Sequence, residues 1–158
     1  MIWDALHSSL DISTLHRHYH AGTISVTDVI TAVLERIRLR GKDHVWISRV
    51  SVAEIYQRAR QLDDLHHTAD LFERYPLYGI PFAVKDNIDV ADMHTTAACP
   101  AYAYLAHKDA TVVHRLLNAG AILIGKTNMD QFATGLVGTR SPYGIPVNPF
   151  DSAYIPGG

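Results

Sequence analysis

Two short apolar runs, separated by a helix-forming segment, constrain the fold of this chain most strongly. The runs are residues 80–84 and residues 121–125. Between them, residues 109–120 begin with an aspartate and end with a glycine, as helices commonly do. Because parallel neighbouring strands need a crossover connection, this order predicts a right-handed parallel βαβ unit. We therefore predict an α/β fold.

The first 75 residues are predicted to be mainly helical. Ser25 with Asp28, and Ser51 with Glu54, have the spacing of capping boxes, in which each side chain accepts the other residue's backbone N–H. The first of these helices is predicted to end at Gly41. The second is predicted to run to about residue 65. Its expected apolar stripe consists of Val52, Ile55, Ala59 and Leu62.

The remaining stretches are predicted to be less regular. Residues 45–50 favour a short strand, and the polar residues 66–74 read as a link between the two halves. Residues 86–100 contain the small and polar residues of a long loop. Long loops in compact domains often carry function, so this loop is a candidate part of a site.

Composition and charge exclude several classes of protein. The chain is 47% hydrophobic and 19% charged, which excludes a disordered composition. A net charge of −2 gives no electrostatic footprint for nucleic acid or an anionic membrane. Cys99 is the single cysteine, which excludes an internal disulfide and suits a reducing compartment. With no signal peptide and no long apolar segment, we expect a cytoplasmic protein without nucleic-acid or membrane partners.

Residues 120–127 match the pattern of a phosphate-binding P-loop, G-x-x-x-x-G-K-[ST]. That motif requires a strand, then a flexible loop of exposed N–H groups, then a helix. Here the four middle residues are predicted to form a strand, and the helix precedes them. A strand cannot curl around a phosphate, so Lys126 is interpreted as an ordinary lysine near a strand end.

Lys85 is the first candidate for chemistry, because it directly follows four apolar residues. A lysine at a strand end can simply reach solvent, but a desolvated lysine can act as a base. With a reference pKa of ~10.4, only about one lysine in a few thousand is neutral at pH 7, so a base role requires burial and hydrogen-bond donors. Asp86 need not hold Lys85 charged, since strand neighbours point to opposite faces.

Several motifs, in order along the chain, resemble the amidase signature family. They are GIPFAVKDN at 79–87, TTA at 95–97, DATVV at 109–113, GAILIGKTNMD at 120–130, NPF at 148–150 and PGG at 156–158. The resemblance is strong over residues 76–158 and weak before them. It implies that residues 1–158 are the N-terminal portion of one amidase domain. In that portion, residues 1–75 are mainly helical and residues 76–158 begin the core, with helices packed on part of a mixed β-sheet.

Within the family, residues 97–104 and 130–144 resemble the allophanate hydrolases. The amidotransferase subunits that act on misacylated tRNA usually carry glutamate where this chain has Gln131. The chain also departs from the family pattern at Asp92 and His94, where glycine and an apolar residue or proline are more common. That departure puts the local turn in question but leaves the lysine motif intact.

The resemblance implies an amide hydrolase with a Ser–cis-Ser–Lys triad. Lys85 would accept the proton that the cis-serine takes from the nucleophilic serine. The substrate would be a small-molecule amide, with allophanate broken down to ammonia and carbon dioxide, and no metal or organic cofactor is implied. Thr134 and Gly135 would line the acyl pocket. The parent would be a homo-oligomer or part of a larger urea-degrading enzyme.

The chain contains no serine after Ser152, so the resemblance places both serines beyond Gly158. We therefore expect a chain truncated before the Ser-rich signature. Alone it would be catalytically inactive, with a charged Lys85 and with poor solubility or dimerisation from an unpaired strand edge. Two alternatives stay open: another amidase-signature enzyme, such as one from a tRNA-dependent amidotransferase, or a non-catalytic or nucleotide-binding module.

Overall fold

The computed structural model describes residue 4 and residues 7–157. Within these residues the helices are α1 (Ile12–His20), α2 (Val26–Arg40), α3 (Val52–Asp63), α4 (Leu71–Arg74) and α5 (Thr111–Asn118). The strands are β1 (Trp46–Arg49), β2 (Pro81–Lys85), β3 (His94–Thr95), β4 (Tyr104–Leu105) and β5 (Ile122–Thr127). Short 3-10 helices lie at Pro100–Tyr102 and Gln131–Ala133. The predicted α/β class is confirmed.

Both predicted capping boxes form. The Ser25 hydroxyl accepts the Asp28 N–H at 3.0 Å, and the Asp28 carboxylate accepts the Ser25 N–H at 2.8 Å. Ser51 and Glu54 exchange the same two bonds at 3.2 Å each. Helix α2 ends at Gly41, whose φ of 65° lies in the left-handed region that favours glycine. These local signals fix the starts of α2 and α3 as predicted.

Two expectations about the first half are wrong in detail. Val52 does not join the buried stripe of α3, since it is 54% exposed at the first helical position. Residues 66–74 are not only a polar link, because they contain α4. Leu71 is buried there, and the ring of Phe72 stacks on His20 with centroids 3.7 Å apart. Two apolar side chains within a polar stretch are enough to dock it.

The main sheet is mixed, as the fold prediction required. Its strand order is β1-β5-β2, and β1 runs antiparallel to β5. The Ile122 N–H donates to the Ile80 carbonyl at 2.9 Å, and the Asp86 N–H donates to the Thr127 carbonyl at 3.1 Å. Both pairs advance in the same direction along the chain, so β5 and β2 are parallel, with α5 between them in sequence. The right-handedness of this crossover stays a prediction.

Two compact units make up the described chain. The first comprises the described residues of 4–41, together with 50–82 and 115–124. Its core includes the rings of Tyr19 and Tyr78, which meet edge to face at 5.3 Å. Each tyrosine hydroxyl donates a 3.0 Å bond to a backbone carbonyl, Tyr19 to Gly79 and Tyr78 to Leu62. The buried tyrosines therefore leave no hydroxyl unsatisfied.

The second unit comprises residues 42–49, 83–114 and 125–157. It contains the two-stranded antiparallel ladder of β3 and β4. Its buried residues include the charged side chains of Asp86, Lys126 and Asp130 alongside apolar ones such as Val113 and Met129. Every candidate site residue from the sequence lies in this unit. Among the described residues, no helix is both long enough and apolar enough to cross a membrane.

Candidate active site

Lys85 is the last residue of β2, and its side chain is half-buried. It lines a pocket of about 230 Å³ in the second unit. The other lining residues come from the end of β5 and from the segments that follow it: Thr127, Asn128, Met129, Gly138, Pro146 and Gly157. The structure thus brings the lysine motif together with the GKTNMD motif and the Pro-Gly-Gly segment, which are distant in sequence.

Asn128 fixes one wall of this pocket. Its amide nitrogen donates to the carbonyls of His44 and Gly144, both at 2.9 Å. Its amide oxygen accepts the Ser141 hydroxyl at 2.5 Å and the Met129 N–H at 2.8 Å. With its donors and acceptor engaged, Asn128 ties the end of β5 to residues 141–144 and leaves the space beside Lys85 open.

Asp130 organises the loop that contains Gly138. Its buried carboxylate accepts three backbone N–H groups, from Arg140 at 2.7 Å, Gly138 at 3.0 Å and Val137 at 3.2 Å. These donors, with Arg140 foremost, lower the pKa of Asp130. A Cβ at Gly135 would collide with the same carboxylate, so only glycine lets the loop pass so close.

The structure does not place Thr134 or Gly135 among the pocket-lining residues. Thr134 is exposed, and its hydroxyl donates to the Gln131 carbonyl at 2.8 Å. Both residues belong to the loop that Asp130 holds, and Gly138 of that loop reaches the pocket. Their role in substrate binding stays a prediction.

Two pairs of non-glycine residues near the site adopt left-handed backbone conformations. Ala97 and Ala98 have φ of 49° and 54°, and Phe132 and Ala133 have φ of 52° and 56°. The Phe132 N–H donates to the Ala97 carbonyl at 2.9 Å, which joins the two turns. Such conformations cost of order 1–3 kcal/mol each and persist only where the surroundings impose them. Their clustering is typical of functional sites.

A buried ion pair involves Asp86, the chain neighbour of Lys85. The side chains of Lys126 and Asp86 are both fully buried, with Lys126 Nζ 3.4 Å from Asp86 Oδ1. Lys126 Nζ also donates to Thr95 Oγ1 at 2.7 Å and to the His94 carbonyl at 2.8 Å. Burial lowers the pKa of Lys126, while the charge of Asp86 opposes that shift. Lys126 does lie near the end of a strand, as predicted, but its burial and its ion pair with Asp86 were not predicted.

The sequence contains a signal for this pair that single motifs do not reveal. Asp86 directly follows β2, and Lys126 lies near the end of the parallel strand β5. Because parallel neighbours end at the same edge of a sheet, two opposite charges at these positions are expected to meet there. The structure also confirms that residues 122–127 form a strand after a helix, which contradicts the nucleotide-binding alternative in its P-loop form.

Comparison with known proteins places these motifs in context. The amidase family model matches residues 28–158, so the match begins well before the strong motifs. The chain is 47% identical to the urea amidolyase of Saccharomyces cerevisiae over 130 residues, covering 82% of this chain and 7% of that protein. It is 39% identical to a glutamyl-tRNA(Gln) amidotransferase chain of Symbiobacterium thermophilum over 150 residues, covering 94% and 30%.

Among solved structures, the Kluyveromyces lactis allophanate hydrolase matches with a TM-score of 0.74 and 41% identity. The match covers 98% of this chain and 24% of that protein. The chain therefore spans a minor part of the length of each relative described. The high coverage of this chain means that both compact units find counterparts in that structure.

Proposed function

The chain belongs to the amidase family, and from this we propose that it contributes the proton-accepting lysine, Lys85, of an amide-bond hydrolase that acts on allophanate. One observation carries the proposal: Lys85 closes β2 and lines a pocket with the GKTNMD motif and the Pro-Gly-Gly segment. A half-buried lysine that lines an open pocket can meet a reacting hydroxyl while staying partly screened from water.

The proposed chemistry assigns one step to this chain. The neutral Nζ of Lys85 accepts a proton from a serine hydroxyl, and that serine takes the proton of the nucleophilic serine. The nucleophile's oxygen bonds to the amide carbonyl carbon, the C–N bond breaks, and the proton held on Lys85 returns through the first serine to the nitrogen, which leaves as ammonia. Water then adds to the acyl-enzyme, which releases the acid and restores the hydroxyl of the nucleophile. The described pocket lining contains no serine. Both serines therefore have to come from outside the described pocket.

The choice of allophanate rests on sequence similarity. The urea amidolyase match reaches 47% identity over 130 residues. One amidotransferase match reaches 39% over 150 residues, and another reaches 48% over only 101 residues. The Kluyveromyces lactis structure with 41% identity is an allophanate hydrolase. Gln131, whose side-chain amide donates to the Ala98 carbonyl at 3.1 Å, is one residue that separates this chain from the usual amidotransferase pattern. These points favour a urea-degrading parent. We propose that this parent is cytoplasmic and is either homo-oligomeric or part of a larger enzyme.

A chimera tests the proposal. Residues 1–158 would replace the matched segment of the Kluyveromyces lactis allophanate hydrolase, and ammonia release from allophanate would be measured. We expect an active chimera that loses at least about 100-fold in kcat when Lys85→Met removes the base. The matched control is Lys108→Met, which removes an exposed lysine and should leave kcat unchanged.

Two results would count against the proposal. The first is a chimera that elutes and melts like the parent enzyme but releases no ammonia from allophanate. The second is full activity in the Lys85→Met chimera. Glutamine hydrolysis without allophanate hydrolysis would instead point to the amidotransferase alternative.

A further inference from the structure

We infer that Lys126 is a positioning residue for Lys85: it holds and neutralises the carboxylate of Asp86, the chain neighbour of Lys85. The inference rests on the proposed function of Lys85 as a base. Neither Lys126 nor Asp86 is among the residues that line the pocket. Their effect on chemistry would therefore be indirect, and Lys85 is the pocket-lining residue next to Asp86 in the chain.

The surroundings of Lys126 match an ammonium group. An ammonium has three donors, and Lys126 Nζ faces three acceptors: Asp86 Oδ1, Thr95 Oγ1 and the His94 carbonyl. Thr95 links Lys126 to a second carboxylate, since the Thr95 hydroxyl also donates to Asp89 Oδ1 at 2.8 Å. Asp89 in turn accepts the Tyr104 hydroxyl at 2.7 Å. The charged groups that act on Lys126 are thus Asp86 and Asp89.

Asp86 is held at its backbone and at its side chain. Its N–H donates to the Thr127 carbonyl at 3.1 Å, and its carbonyl accepts the Ala97 N–H at 3.2 Å. Its Oδ2 accepts the Thr96 N–H at 3.1 Å and the Thr96 hydroxyl. Its Oδ1 has no hydrogen-bond donor among the described residues, and Lys126 Nζ is the cation that faces it.

The position of Asp86 makes its charge matter to Lys85. The two residues are adjacent in the chain, and alternation along a strand points their side chains to opposite faces. Any effect of the Asp86 charge on Lys85 therefore acts through space and depends on whether that charge is paired. A carboxylate so near, buried and without its own counter-ion, would favour the protonated form of Lys85 through space. Lys126 supplies that counter-ion, so the buried pair next to Lys85 carries no net charge.

Labelling of the chimera described above provides the first test, independent of catalysis. Competitive acetylation at pH 8, read by mass spectrometry, compares Lys85 with the exposed Lys108 as an internal reference, because only the neutral amine reacts. We expect Lys126→Met to lower the Lys85:Lys108 labelling ratio about tenfold, the effect of one pH unit. Adding Asp86→Asn to Lys126→Met should restore the ratio to within about twofold, since a neutral neighbour no longer favours protonation.

A control separates this effect from loss of stability. Asp63→Asn weakens a capping contact in the first unit, where the Asp63 carboxylate accepts the Val26 N–H at 2.7 Å and the Thr27 N–H at 3.1 Å. It should lower the melting temperature and leave the labelling ratio unchanged. If Lys126→Met fails to fold, Lys126→Gln keeps a donor for Thr95 without the charge, and the same tenfold loss is expected.

The activity of the same chimera links the result to catalysis. There, Lys126→Met should move the acid limb of the kcat/KM profile to higher pH, with KM little changed, and Asp86→Asn should move it back. A folded Lys126→Met chimera with an unchanged labelling ratio overturns the inference, and so does a double variant that fails to restore it. An inactive wild-type chimera would count against the proposed function alone, because the labelling ratio does not depend on turnover.

Discussion

Gly138 lies so close to Gly157 that a Cβ on Gly138 would collide with the carbonyl oxygen of Gly157. Both glycines line the pocket beside Lys85, and both have positive φ, 73° and 95°. Through this contact, the backbone of the loop that Asp130 organises meets the backbone of the Pro-Gly-Gly segment. The width of the pocket therefore depends on the absence of a side chain at residue 138.

Replacing Gly138 by alanine should be markedly destabilising. The left-handed conformation alone costs about 1–2 kcal/mol for a residue with a Cβ, and the collision adds to that cost. The matched control is Gly157→Ala, where the conformation is also left-handed but a Cβ meets nothing within 4 Å. Urea unfolding of both variants measures the difference. Equal losses of stability would mean that the collision relaxes without cost.

Asp130→Asn should loosen the loop of residues 131–140 without unfolding the second unit. A carboxylate accepts N–H groups on both oxygens, whereas an amide has one acceptor oxygen, so the bonds to Val137, Gly138 and Arg140 cannot all be kept. Amide hydrogen exchange at Gly138 should become at least about tenfold faster. Asp92→Asn, an exposed aspartate, is the control and should leave that rate unchanged.

The first unit should lose stability above pH 10. Burial, with Asp63 as a second cause, raises the pKa of Tyr78 to about 12, and burial also raises the pKa of Tyr19. Because the folded-state pKa is the higher one, the stabilisation is complete below the unfolded value near 10. The unfolded state releases these protons first, so stability falls as pH rises from about 10 towards 12.

Urea midpoints measured between pH 8 and pH 11.5 test this dependence. Tyr78→Phe should flatten the decline, although it lowers stability at neutral pH by removing the bond to the Leu62 carbonyl. Tyr102→Phe, at an exposed position, should leave the slope as it was. A wild-type midpoint that stays constant through this range would contradict the expected shift.

Asp92→Gly should be neutral or stabilising by up to about 1 kcal/mol, because Asp92 is exposed and has a φ of 62°. Asp92→Val should cost about 1–2 kcal/mol or more, since a β-branched residue is strained there. Chemical denaturation of the pair gives the ordering. A valine variant as stable as the glycine variant would show that the turn has rearranged.

Local signals made much of the fold predictable. The capping boxes at Ser25 and Ser51 give the starts of α2 and α3, because each satisfies backbone donors within its own first turn. Two apolar runs with a helix between them predicted that β2 and β5 are parallel neighbours, because parallel strands need such a crossover connection. The turn at Asp92 formed despite its unusual residue, as a short polar side chain tolerates the left-handed region.

Features that depend on distant partners escaped prediction. The two-residue strands β3 and β4 have no periodicity of their own and exist through their pairing. Asp70, just before helix α4, and Glu73 have the spacing of a capping box, but Asp70 has a φ of 58° and makes no capping bond with its side chain. Ala97 and Ala98 adopt left-handed conformations that a glycine would have indicated, but alanine gives no such indication in the sequence.

For the site, the position of Lys85 followed from its motif, but its surroundings did not. The pocket needs Gly138 and Gly157 beside β2, and no local pattern reports that proximity. The pairing of Lys126 was not predicted, because its acceptors on Asp86, Thr95 and His94 are all distant from it in sequence. The proposed role of Lys85 as a base came from the family motifs, because the spacing of apolar residues predicts secondary structure and not chemistry.

The strand order β1-β5-β2 has a consequence for how the chain is made. The central strand β5 is the last of the three in sequence, and β1 and β2 are not neighbours in the sheet. At roughly 5–20 residues per second, a ribosome releases β1 and then β2 seconds before their shared partner. During that interval neither strand has its native partner. The speed of translation between residues 85 and 122 therefore sets how long the edges of β1 and β2 are open to aggregation.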